Sequence, residues 1–593
     1  MSDTLSDWVW ETRYRQQGER EILDSWKRVA RALASVEQDP AGHYPRFLSL
    51  LNDFRFLPGG RILAGAGTGR DVTLFNCFVM GDIEDSLDGI FQALRESALT
   101  MQMGGGIGLD FSTLRPAGMR TRRVGVIASG PVSFMHVWDA MCATLVSSGN
   151  RRGAMMATLR CDHPDIEHFI TAKQMPGALT HFNLSVQVTD AFMQAVETDA
   201  EWPLLFPADS LGDEADGLPV TESAWPGREG RVKCRVLRSV SARALWETIT
   251  RNAYEAAEPG VLFVDTINRE NNLGWREHIS ATNPCGEIPL PPWGGCVLGS
   301  VNVAHFIRSP FSDAARLDRE SLERMVQRAV RLLDNAIDLS HYPLPQQQAV
   351  MHESRRIGLG ITALADALMM LNIRYGSEES FEFASQLMQS ICHAAYRASI
   401  ELAREKGAFP AFEAASYLAS PFIRRLPDDI RQGIAEHGIR NSHLLAIAPA
   451  GTISLLAGNL SSGLEPVFEE RYERRVRSGG DGWQTFMVDD HACALWREAH
   501  GTHGRPPAFV GARELPPELH LRMQSSLQPF VDSAISKTIN VPADMPYADY
   551  RGLYETAWRL GLKGCTTFRP NPVTGSVLDA VDAGCCQIDR EGG

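Results

Sequence analysis

An α/β enzyme is the fold class the sequence predicts, and three observations predict it. Short apolar strands alternate with amphipathic helical patterns along the chain, the arrangement from which α/β layers are built. Length alone would allow roughly four domains, yet no Pro/Gly/Ser-rich linker, low-complexity tract or repeat divides the 593 residues. Hydrophobic residues make up 44% and charged residues 22%, the balance of a globular protein with a sizeable core. One large catalytic unit is therefore expected.

Taken in order, Asp7 to about Leu51 reads as helices, with Ile22, Trp26, Val29 and Leu33 at helical spacing. Phe56 to Cys77 is Gly-rich and reads as a loop, followed by a short buried strand, Cys77 to Met80. A helix spans Gly89 to Met103 and ends at Gly104-Gly105-Gly106. Another runs from Pro131 to Ser147, with proline suited to the first turn. Asn183 to Val188 reads as a strand and Asp190 to Val196 as a helix. Long amphipathic helices are expected near Leu317 to Leu339 and Ser380 to Lys406. The expected division is a helical region at 1–55, a catalytic unit at 56–575 and a mobile cysteine-bearing tail at 576–593.

Charge and cysteine usage exclude several function classes. The net charge is -14, and no basic stripe is present to grip nucleic acid by its phosphates. Met1 to Glu37 is charged and lacks an apolar signal core, and no apolar run is long enough to span a membrane. A cytoplasmic protein is expected. Its eleven cysteines do not read as a disulfide framework in that compartment, and no Cys-x-x-Cys pair marks a zinc ribbon. Cys142, Cys161, Cys234, Cys392 and Cys493 sit in apolar or helical contexts and read as packing residues. Redox catalysis is the remaining use for the others.

Asn283-Pro284-Cys285-Gly286-Glu287, followed by Cys296, carries that chemistry. An amide, a thiol and a carboxylate stand at alternate positions, so an extended segment would project all three from one face. A thiol can become a thiyl radical, a carboxylate can move a proton and an amide can hold a hydroxyl. Ribose 2′-reduction requires that set.

The segment resembles the finger-loop motif of ribonucleotide reductases in their adenosylcobalamin-dependent, class II form. Further segments match in the family's order. They include Gly104-Gly105-Gly106-Ile107-Gly108 with Leu114-Arg115-Pro116, Ala128-Ser129-Gly130-Pro131, and Arg151-Arg152-Gly153-Ala154 with His163-Pro164-Asp165. Phe182-Asn183-Leu184-Ser185-Val186, Pro449-Ala450-Gly451-Thr452-Ile453-Ser454 and Lys563-Gly564-Cys565-Thr566-Thr567-Phe568 complete the series. The fold implied is the family's ten-stranded α/β barrel of two antiparallel halves, with the thiyl loop threading its centre.

By that resemblance Cys285 is the thiyl radical, Glu287 the general base at the 3′-hydroxyl and Asn283 a ribose-orienting group. Cys77 and Cys296 are the implied reducing pair, held on adjacent barrel strands. Cys585 and Cys586 are implied to exchange with them and with thioredoxin or glutaredoxin. Here the chain departs from the family, whose tail cysteines are separated. Pro449, Ala450, Gly451, Thr452, Ile453 and Ser454 are implied to take the phosphates of a ribonucleoside diphosphate, and Gly106 to lie beside the substrate. Asp85, Ser86, Leu87 and Arg115 match residues that hold a dNTP or ATP effector at a homodimer interface. The Val124 to Ser129 and Met155 to Cys161 segments match the two specificity loops. No ATP-cone domain is recognised.

The radical source is implied by elimination among family forms. Gly564 to Phe568 lacks the adjacent tyrosines of a class I relay, and no glycyl-radical motif of class III is present. Adenosylcobalamin remains. Asp-x-His-x-x-Gly is missing, so the cofactor is expected to bind with its own dimethylbenzimidazole in place. The alternatives are a class I-type large subunit that needs a radical-generating partner, and a non-catalytic nucleotide-binding relic.

Overall fold

The computed structural model of the chain describes residues 4–120, 127–145, 153–175, 177–478, 482–501 and 504–570. Its centre is a closed ring of strands in two parallel halves. The first half consists of β1 (Cys77–Val79), β2 (Gly106–Asp110), β3 (Met155–Arg160), β4 (Phe182–Val188) and β5 (Gly260–Phe263), paired parallel in that order. The second half contains β6 (Gly295–Asn302), β7 (Ile357–Thr362), β8 (Thr538–Asn540) and β9 (Gly564–Phe568). Parallel bridges Leu359–Leu445 and Ile447–Ile535 insert the extended segment 445–447 between β7 and the chain entering β8. The halves meet antiparallel at β1 with β6 and at β5 with β9, which closes ten staves.

The sequence of each stave explains its place. Both faces of a parallel strand are covered, so its residues are apolar without alternation. Residues 155–159 of β3 and all of β6 and β7 are buried accordingly. Helices cover the outside, among them Leu87–Gln102, Pro131–Thr144, Arg319–Leu339 and Glu378–Lys406. Helices Ile22–Ala34 and Pro40–Leu51 pack on Arg319–Leu339. Their apolar side chains join the core of the second half-barrel, whereas the first half has a separate core.

Two local expectations give way to tertiary structure. Residues 56–77 are not one loop: Phe56–Pro58 pairs with β6 and Gly60–Gly65 is helical. Met155 to Cys161 is not a loop either, because β2 and β4 flank it and recruit Met155–Arg160 as a central strand. An added sheet, Glu201–Pro207, Val220–Ala224 and Arg231–Ser241, packs its own small core around Phe206, Trp225 and Cys234. The five cysteines read as packing residues are all buried. Among the described residues, no helix is long and apolar enough to cross a membrane.

Candidate active site

The segment expected to be catalytic, 281–290, is a hairpin inside the barrel. Ala281–Thr282 pairs with Pro289–Leu290, and residues 283–288 form the connecting tip. The Thr158 hydroxyl on β3 anchors the hairpin's base by donating to the Ser280 carbonyl at 3.0 Å. Gly108 on β2 leaves the space the hairpin needs. A Cβ at that position would stand 1.9 Å from the Thr282 carbonyl oxygen.

At the tip the chain turns, which corrects the extended arrangement expected of 283–287. Gly286 N–H donates to the Asn283 carbonyl at 3.1 Å, and Gly286 has φ +80°, a value glycine adopts without a Cβ penalty. Asn283 and Glu287 therefore meet across the turn, Nδ2 donating to Oε1 at 2.8 Å. The Asn283 Oδ1 accepts from Ile288 N–H at 3.0 Å, so the amide orientation is fixed from both ends. The same Nδ2 lies 3.6 Å from Cys77 Sγ.

The two strand cysteines are brought face to face by register. Cys77 on β1 is the antiparallel partner of Cys296 on β6. Directly opposed positions hold their Cβ atoms about 5 Å apart, from which a small adjustment reaches disulfide geometry. Both are thiols and both are buried. Burial, then the Glu287 carboxylate, hold the Cys296 thiol well above its ordinary pKa, so it stays protonated at neutral pH. Gly106 joins the group: a Cβ there would lie 3.4 Å from Pro284 Cγ and 3.5 Å from Cys77 Sγ.

Cys285 is half-buried and lines a cavity of about 500 Å³. Its neighbours on that wall include Pro284, Gly286, Asn183, Ser185 and Met156. Asn283 and Glu287 are buried at the base of the same turn. Pro449, which precedes helix Gly451–Leu456, and Gly451 and Ser454 within it line the same cavity. Ala450, Thr452 and Ile453 are buried and do not line the cavity, and Ala450 N–H donates to Ser462 Oγ at 2.8 Å. Sequence reasoning assigned no role to Asn183, whose Nδ2 donates to the Pro284 carbonyl at 3.0 Å and ties β4 to the hairpin tip. Its position inside the matched segment Phe182–Val186 was the available signal.

Asp85, Ser86, Leu87 and Arg115 form a separate group that does not line this cavity. Arg115 Nε donates to Asp85 Oδ2 at 2.7 Å, and Ser86 caps helix Leu87–Gln102 by accepting from Gly89 N–H at 3.0 Å. Ile127 to Ser129 are described, whereas the rest of the Val124–Ser129 segment, Arg151, Arg152, Cys585 and Cys586 lie outside the described residues.

No tyrosine occurs in Gly564–Phe568, yet two stand behind it. Tyr550 and Tyr554, one helical turn apart on Tyr547–Arg559, place their hydroxyls 3.4 Å apart and both bond Thr567 Oγ1 on β9. Tyr254 packs 5.0 Å from Tyr550 between ring centroids. Neither Tyr550 nor Tyr554 lines the cavity. Sequence adjacency could not reveal the pair, because helical spacing and not chain neighbourhood joins them.

Comparison with known proteins gives this geometry a context. The family model for the ribonucleotide reductase barrel domain matches residues 75–568, and that for the ribonucleotide reductase all-alpha domain matches residues 2–71. The chain is 38% identical over 586 residues to a vitamin B12-dependent ribonucleoside-diphosphate reductase of Mycobacterium tuberculosis, covering 94% of this chain and 77% of that protein. A protein of the same name from Thermoplasma acidophilum is 34% identical, with coverages of 91% and 67%. The ribonucleoside-diphosphate reductase subunit alpha of Chlamydia pneumoniae is 28% identical, with coverages of 94% and 58%.

Proposed function

The chain belongs to the ribonucleotide reductase family, and from that premise we propose that it reduces ribonucleoside diphosphates to 2′-deoxyribonucleoside diphosphates with adenosylcobalamin as its radical source. One observation carries this reading. Cys285 faces a nucleotide-sized cavity while Cys77, Asn283, Glu287 and Cys296 are gathered at the turn that presents it. The vitamin B12-dependent relatives supply the cofactor class.

The cavity's chemistry fits that cofactor. Val467, Phe468, Leu515, Val541 and Phe568 also line the cavity and give it apolar surface, against which a large organometallic ring would pack with water excluded. Those residues would hold the group, which when bound supplies the hydrogen-abstracting radical that makes the Cys285 thiol a thiyl.

The Cys285 sulfur then takes the 3′-hydrogen of the substrate ribose. Glu287 receives the 3′-hydroxyl proton, and the Asn283 amide keeps its carboxylate oriented. The 2′-hydroxyl leaves as water. Cys77 and Cys296 supply two protons and two electrons and become a disulfide, so a ribonucleotide and two thiols give a deoxyribonucleotide, a disulfide and water. Cys285 finally returns its hydrogen to C3′, and Glu287 returns the proton to the 3′-oxygen. An S–H bond suits both transfers, because it is weak enough to give hydrogen and strong enough to take it back.

Helix Gly451–Leu456 and the Pro449 to Ser454 segment receive the diphosphate in this reading. Their support is that Pro449, Gly451 and Ser454 line the same cavity as Cys285. Asp85, Ser86, Leu87 and Arg115 receive a dNTP or ATP effector at a homodimer contact. Leu87 and Phe91, 67% and 54% exposed one helical turn apart, supply apolar surface for that contact. A thioredoxin- or glutaredoxin-like dithiol re-reduces the pair, with Cys585 and Cys586 as intermediaries, and the enzyme works in the cytoplasm.

Incubating the purified chain with ribonucleoside diphosphate, adenosylcobalamin and dithiothreitol tests the reading. Deoxynucleotide should form without a second protein, and no turnover under these conditions would refute it.

A further inference from the structure

Helix Gly451–Leu456 is too short to hold its own position. Six residues form few internal hydrogen bonds, and a helix of that length is unstable without tertiary packing. One side, through Gly451 and Ser454, faces the cavity. The other side buries Leu455 and Leu456 in the core shared with Leu5, Trp8 and Val9.

Those last three residues belong to helix Leu5–Val9, which packs directly on Gly451–Leu456. Ser6 Oγ donates to the Leu456 carbonyl, 450 residues away in sequence. That carbonyl is one of the acceptors a helix end leaves unsatisfied. Thr4 caps the Leu5–Val9 helix by accepting from Asp7 N–H at 3.1 Å. Trp8 packs 5.9 Å from Phe486 between ring centroids. Phe486 lies on a hairpin of strands Arg471–Ser478 and Gly482–Asp489, and Tyr472 and Arg474 of that hairpin also line the cavity. Asn459, three residues beyond the short helix, completes the connection. It donates to the Asp489 carbonyl at 2.9 Å and accepts from Tyr472 Oη at 3.1 Å.

We infer that helix Leu5–Val9 is a strut that sets the position of the Gly451–Leu456 helix, with Ser6 and Trp8 as positioning residues for nucleoside-diphosphate binding. The inference rests on the reading of Pro449–Ser454 as the diphosphate site. It assigns Ser6 and Trp8 an effect on ground-state affinity and none on the radical steps, because neither lines the cavity.

Equilibrium binding of a nucleoside diphosphate to the full chain without cofactor, together with KM, kcat and Tm, tests this. Ser6→Ala should weaken diphosphate binding and raise KM by about three- to tenfold, the loss of one hydrogen bond. Its kcat and Tm should hold, and Ser6→Thr should restore affinity. Trp8→Phe, which keeps an aromatic ring against Phe486, should shift affinity less. Gly451→Ala and Ser454→Ala, at two residues that line the cavity, serve as the parallel arm at the site itself. If that arm weakens diphosphate binding while Ser6→Ala and Trp8→Phe leave it unchanged, the strut is wrong and the diphosphate site stands. If Gly451→Ala and Ser454→Ala change nothing, the diphosphate site is wrong and the inference falls with it. A lower Tm with unchanged affinity in Ser6→Ala would assign the contact to folding alone and overturn the proposal.

Discussion

The proposed reactive cluster, buried behind Cys285, and the proposed binding side of the cavity are built in opposite ways. On the reactive side, Cys77, Asn283, Glu287 and Cys296 are fixed by contacts among themselves: a 2.8 Å hydrogen bond across a turn and a one-to-one strand register. On the binding side, a six-residue helix and a hairpin are held by apolar packing from residues hundreds of positions away. Groups that must meet within hydrogen-transfer distance tolerate little freedom. A phosphate-binding wall can be placed by packing, because charge acts over longer reach than hydrogen transfer.

Substitutions on the reactive side should therefore act on kcat, and the largest effect belongs to Cys285. Cys285→Ser should remove deoxynucleotide formation entirely while leaving nucleotide affinity intact; any residual turnover measured by product chromatography would break the assignment. Cys77→Ser or Cys296→Ser should stop the enzyme at no more than one product per active site, a limit visible in single-turnover assays. Glu287→Gln keeps size and hydrogen-bonding capacity but not basicity, so kcat should fall about 10²- to 10⁴-fold with KM nearly constant. A large KM change instead would move Glu287 to the binding side.

Thiol reactivity sharpens the comparison further. Cys296 is buried and its pKa is raised, so its thiolate fraction at neutral pH is smaller than that of an ordinary thiol with a value of 9.0. Mass spectrometry of iodoacetamide-treated protein should find Cys285 labelled before Cys77 and Cys296 at neutral pH. Labelling of Cys296 should still be rising above pH 9.0, because a raised pKa moves the thiolate to higher pH. The smallest expected effect is at Tyr554. Since it stands behind β9 and outside the cavity wall, Tyr554→Phe should change kcat by less than about twofold, the limit expected when a residue touches neither substrate nor reacting atoms. Loss of activity there would instead favour a tyrosine relay.

How much of this was legible from the chain depends on the range of the interaction. Helix Glu378–Lys406 and strand Phe182–Val188 lie within two residues of where the sequence pattern places them, since both are written in local periodicity. Met155–Arg160 was missed as a strand because its pairing is donated by neighbours on both sides. The alternation of Asn283, Cys285 and Glu287 pointed to the right cluster for the wrong reason. Gly286 bends the segment, and the amide and carboxylate meet across the bend.

By itself the sequence determined the chemistry: which thiols, which carboxylate and which amide this protein owns, and the family order in which they occur. Only the tertiary structure decided how they meet. The opposition of Cys77 to Cys296 is a strand register across 218 intervening positions, and the last carbonyl of the Gly451–Leu456 helix accepts from a hydroxyl at Ser6. Side-chain identity is local information, whereas register and close approach are set by the whole barrel closing at once.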